Sequence, residues 1–135
     1  MLDEVVLNKA QTLRRCLARV REVYADDPAN LKDYTKQDSI ILNIQRACEA
    51  CIDLAMHVVA EKDLGVPQNS RDAFTLLHER GLLDEDACKR MQAMVGFRNI
   101  AVHDYQAVNL EIVRAIIEHH LEDLEVFARI VGALS

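Results

Sequence analysis

The chain has 135 residues, half of them hydrophobic, with 4 glycines, 2 prolines and only 4% aromatic residues. That length and composition suit a single domain, residues 1–135, whose core is large enough to fold without disulfides or metal, and they favour helix over strand. A formal net charge of −6 argues against a protein that grips nucleic acid by broad phosphate neutralisation, but it leaves room for a small site built on a few arginines.

Apolar residues recur at helical spacing along nearly the whole chain. The first segment carries Leu2, Val6, Ala10, Leu13, Leu17, Val20 and Tyr24 on one stripe and stops near Asp26-Asp27-Pro28, where proline disfavours continuation. The second is expected to start at about Asp38-Ser39, read as caps, and runs through Ile41, Ile44, Cys48, Cys51, Ala55 and Val58. Ile40, Ile52, Leu54 and Val59 widen its apolar face, which predicts the most buried helix, and Gly65-Val66-Pro67 closes it. A short third helix takes Ser70 as its N-cap, uses Phe74 and Leu77, and ends at Gly81. The fourth starts at Asp84 with the stripe Ala87, Met91, Met94; the fifth begins at Asn109 and continues through Val113, Ile117, His120, Leu124, Phe127 and Val131. No segment alternates like a strand. The expected fold class is all-α, an up-and-down bundle of four main helices and one short helix.

No apolar run reaches the roughly 18 residues of a membrane span, and the N-terminus has no basic-then-apolar leader, so a cytoplasmic protein with no membrane contact is expected. Cys48 and Cys51 form a C-x-x-C without a second Cys pair or Cys/His cluster at zinc spacing; on the apolar stripe of a helix they read as reduced core cysteines. Glu-x-x-His pairs for a di-iron bundle are absent, as is any glycine-rich phosphate loop. No metal centre and no cofactor is expected. His119 and His120, about 100° apart on a helix, read as structural, one at the core edge and one in solvent. Met91 and Met94 read as core filler.

The segment Arg98-Asn99-Ile100-Ala101-Val102-His103-Asp104-Tyr105 breaks this pattern. Extending the fourth stripe beyond Met94 places an arginine where an apolar residue belongs, with Tyr105 two turns on and sharing its face if the helix continues. An unpaired guanidinium is costly to bury, so Arg98 either pairs with a carboxylate such as Asp104 or faces a solvated cleft. His103 lies about 140° from Arg98 around a continuous helix. Either the helix breaks after Arg98, or the two side chains meet across a two-fold interface.

Arg98-Asn99, three residues, His103, one residue, Tyr105, in a small all-α chain with a long helix following, resembles the HEPN superfamily and, through the trailing tyrosine, its HepT branch. The resemblance covers essentially the whole chain. It implies a HEPN-like bundle that acts as a homodimer, with Arg98 and His103 of both copies lining one cleft. The implied function is the toxin of a toxin–antitoxin system, a metal-independent RNase that uses the 2′-hydroxyl of its RNA substrate as nucleophile. Histidine chemistry suits proton transfer to or from the ribose oxygens, and arginine suits the scissile phosphate. Asn99 and Asp104 are the supporting candidates, Asn99 to orient either group or the ribose. The resemblance further implies a cognate MntA-like nucleotidyltransferase antitoxin that transfers AMP to Tyr105, placing charge and bulk in the RNA cleft. The alternative it leaves open is a non-catalytic HEPN binding subunit of a nucleotidyltransferase.

Overall fold

Asp3 opens the first helix by accepting the Val5 N–H, and its carboxylate also meets the His57 ring. The structure, a computed structural model that describes residues 3–134, continues from there as α-helix. Among the described residues these are α1 Glu4–Tyr24, α2 Tyr34–Glu61, α3 Ser70–Glu79, α4 Glu85–His103, α5 Leu110–His119 and α6 Leu121–Leu134. Short 3-10 turns occupy Pro28–Lys32 and Tyr105–Ala107. No strand forms among the described residues.

The α1 stripe is buried from Val6 to Tyr24, and Leu2 at its head lies outside the described residues. Ala25 and Asp26 take left-handed backbone and end the helix just before Pro28. The most buried helix is α2, with Ile40, Ile41, Ile44, Cys48, Cys51, Leu54, Ala55, Val58 and Val59 all inside. It starts earlier than Asp38-Ser39. Asp33 is the N-cap and accepts the Lys36 N–H at 3.1 Å, so Asp38 sits in the second turn with no capping duty. Asn69, one residue before Ser70, caps α3 by accepting the Asp72 N–H. Asp84 caps α4 as expected, 2.7 Å from the Ala87 N–H.

The last long helix is divided. Its buried positions are Val113 and Ile116, then Leu121, Leu124, Phe127, Ala128 and Val131. The five-residue step from Ile116 to Leu121 turns about 140° on a straight helix and would carry Leu121 off the core face. The chain breaks at His120, φ −127° and ψ −6°, and both faces stay buried. His120 is therefore exposed rather than on the core stripe; His119 is exposed beside it, and His120 meets Asp123 at 3.0 Å.

All four cysteines are free and buried. Burial pushes the Cys48 thiol up to about 12, which keeps it protonated and unreactive. Met91 and Met94 are buried as filler. No helix among the described residues is long and apolar enough to cross a membrane.

Candidate functional site

α4 does not break after Arg98. It runs on to His103, where Asp104 (φ −150°, ψ 65°) ends it with its backbone N–H on the Ile100 carbonyl at 2.8 Å. Arg98 and His103 thus keep the 140° separation of a continuous helix and face different directions in one copy. Tyr105 no longer belongs to the helix, so it does not continue the Arg98 face. It lies on the 3-10 turn Tyr105–Ala107 and points toward α2.

Arg98 is paired, but not with Asp104. Its Nε and Nη2 donate to one oxygen of Glu49, Oε2, at 3.0 and 2.9 Å, and its Nη1 donates to Asn99 Oδ1 at 3.2 Å. The expected sequence neighbour fails because the helix turns Asp104 away; the carboxylate comes from α2 instead. Arg98 and Glu49 side chains are 28% and 34% exposed, so the pair sits at the edge of the core with one side open. A guanidinium has five N–H groups. Three are engaged in these bonds, and two remain for an anionic ligand. Asn99 thus lies against the guanidinium through its Oδ1. The Asp104 side chain makes no hydrogen bond among the described residues, and its contribution is the helix stop.

His103 is exposed and makes no hydrogen bond or ion pair among the described residues. It is the last residue of α4, next to the chain turn that carries Tyr105. Tyr105 is 41% exposed and donates its hydroxyl hydrogen to Asp38 Oδ1. Partial burial, reinforced by the Asp38 carboxylate, pushes the Tyr105 hydroxyl up to about 12.

Two acidic residues absent from the sequence-level site therefore hold it. Asp38 and Glu49 are eleven positions apart on α2, which places them within about 20° around its axis and about 16 Å along it. One stripe of the most buried helix grips both Tyr105 and Arg98. Glu49 carried a usable signal, an acidic residue set among Ala47, Cys48, Ala50 and Cys51 on a buried face; Asp38 was masked by its resemblance to a cap.

Beside the motif, α4 is apolar on nearly every side. Met91, Met94, Val95, Phe97 and Ala101 are buried, while Ile100 and Val102 are 45% and 40% exposed. A largely apolar groove between α4 and α5 is lined by Met94, Phe97, Ile112 and Ile116, with Arg90, His120 and Asp123 also on its wall; Ile112 is 51% exposed.

Residues 13–131 match the family model described as ribonuclease HepT-like. The chain is 48% identical over 132 residues to the mRNA nuclease HepT of Shewanella oneidensis, covering 98% of this chain and 99% of that protein. A crystal structure of a toxin–antitoxin complex with AMP-PNP contains a chain with TM-score 0.93 and 47% identity, covering 97% of this chain and 99% of that one. A second neighbour is the tri-AMPylated Shewanella oneidensis HEPN toxin in complex with its MNT antitoxin: TM-score 0.92, 48% identity, 98% and 99% coverage.

Proposed function

The chain belongs to the HepT-like family of ribonucleases, and from that premise we propose that it is the toxin of a toxin–antitoxin pair whose RNA-cutting centre is completed by a second copy of itself. The single observation that carries this reading is the unbroken α4. Arg98 and His103 point about 140° apart in one copy, so a shared cleft needs the other copy to supply the complementary face. The exposed apolar residues Ile100, Val102 and Ile112, beside the α4–α5 groove, give such a copy an area to cover.

In that cleft Arg98 binds the scissile phosphate through its two free N–H groups, while Glu49 and Asn99 keep the fork in place. His103, which has no polar partner among the described residues, takes the 2′-hydroxyl proton as the ribose oxygen attacks phosphorus. A proton returned from imidazole to the departing 5′-oxygen completes the transfer. The products are a 2′,3′-cyclic phosphate and a 5′-hydroxyl end. No metal is assigned a role in this scheme, and it operates in the cytoplasm, where the RNA is. Tyr105 is the site at which an MntA-type nucleotidyltransferase antitoxin attaches AMP, adding negative charge and bulk beside the RNA path.

Arg98→Ala and His103→Ala are each expected to lower RNA cleavage on the order of 100-fold or more, while circular dichroism stays that of the wild type. The assay uses protein shown by intact mass to be unmodified, with chelator present. Uncut RNA with the unmodified wild type, with and without divalent metal, would overturn the reading.

A further inference from the structure

Asp38 is an acidic residue of α2 whose carboxylate meets the Tyr105 hydroxyl. The cap of α2 is Asp33, so Asp38 is not needed to start the helix. Asp53, Glu85, Asp86, Glu118, Asp123 and Glu125 each have a basic partner, whereas Asp38 has none among the described residues. Its one polar side-chain contact there is the Tyr105 hydroxyl. The two line an open groove together with Tyr34, Gln37, Ile41 and Val108, and Tyr105 is partly exposed there.

We propose, resting on the reading of Tyr105 as the modified residue, that Asp38 aims the Tyr105 hydroxyl for adenylyl transfer and accepts its proton, so that the toxin supplies the base for its own inactivation. Tyr105 Oη attacks the α-phosphorus of ATP held by the transferring partner. The Oη–Pα bond forms, and the bond from Pα to the bridging oxygen of the β-phosphate breaks. Pyrophosphate leaves with that electron pair, and the hydroxyl proton passes to Asp38 Oδ1. The transfer neutralises Asp38 just as the α-phosphate closes on it, removing a like charge from the transition state. A phenol is a poor nucleophile while it keeps its proton. Tyr105 keeps its proton well beyond neutral pH, since burial and Asp38 push it up to about 12. An acceptor in hydrogen-bond contact is what such a group needs.

The test measures the rate of the first AMP addition by intact mass, using full-length unmodified toxin, its cognate antitoxin and ATP. Wild type, Asp38→Asn, Asp38→Glu and Tyr105→Phe are compared from about pH 7 to about pH 9, near enough to the ordinary tyrosine value for ionisation to matter. Thermal melts and complex formation with the antitoxin confirm that each variant is folded and engaged. Asp38→Asn is expected to slow addition on the order of 100-fold near neutral pH. Its deficit narrows as pH rises, because losing the carboxylate lets the hydroxyl ionise at lower pH; Asp38→Glu recovers part of the rate. A folded, engaged Asp38→Asn that is modified at the wild-type rate overturns the role of Asp38, as does a deficit that is equal at every pH and is not relieved by Asp38→Glu. Continued modification of Tyr105→Phe overturns the Tyr105 reading itself, and with it this role.

Discussion

Arg98 is held on one flank and open on the other, which fixes its aim at a modest cost in stability. Glu49 takes two N–H groups on a single oxygen, and neither partner is deeply buried, so the bond acts more on direction than on folding. Glu49→Gln keeps the shape and removes the charge. It is expected to destabilise the fold by about 1 kcal/mol and to lower RNA cleavage several-fold, because a looser guanidinium meets the phosphate in fewer productive orientations. Thermal denaturation alongside a cleavage assay separates these effects; a large loss of melting temperature with unchanged cleavage would show that the pair serves the fold alone. Arg98 itself was legible because a charge interrupted an apolar stripe. Its partner was not, because 49 positions separate the two and only the packing of α2 against α4 brings them together.

At the scale of elements, the pattern of apolar residues marked every helical stretch but read α5 and α6 as one helix, and the other misjudged details lie at helix ends. Asp33 and Asp38 both look like N-caps; the chain uses the first, and that choice frees the second for Tyr105. The division at His120 could have been read from the step between Ile116 and Leu121, had burial been assigned to Ile116 rather than Ile117. It has a dynamic consequence. Only Val113 and Ile116 of α5 are buried, against eleven residues of α2, so α5 has far less apolar contact holding it closed. Hydrogen exchange is expected to be fastest among the helices in α5 and slowest in α2. Equal protection across the two would contradict this picture of α5 as a lightly anchored cover over the α4–α5 groove.

For the whole molecule, the net charge of −6 and the proposed RNA substrate are compatible because the chemistry is local and the apolar α4 surface is assigned to a second copy. Ile112→Asp puts a charge at the edge of that surface, far from Glu49 and Asp38 in the sequence and on an exposed position, so the isolated chain keeps its fold. The expected result is a shift from dimer to monomer in sedimentation or light scattering, together with loss of RNA cleavage. A variant that stays dimeric and cuts RNA would move the interface elsewhere. The family resemblance, carried by Arg98, Asn99, His103 and Tyr105, pointed to a paired arrangement; periodicity alone left a helix break as the competing explanation, and the continuous α4 removes it.

That continuity also bears on dose. A helix that turns Arg98 and His103 away from each other makes, on the proposed reading, a lone copy harmless. While most copies are unpaired, the number of complete cutting centres grows with the square of the number of free chains. Halving the free toxin then quarters the damage, and an antitoxin need not reach every molecule to protect the cell.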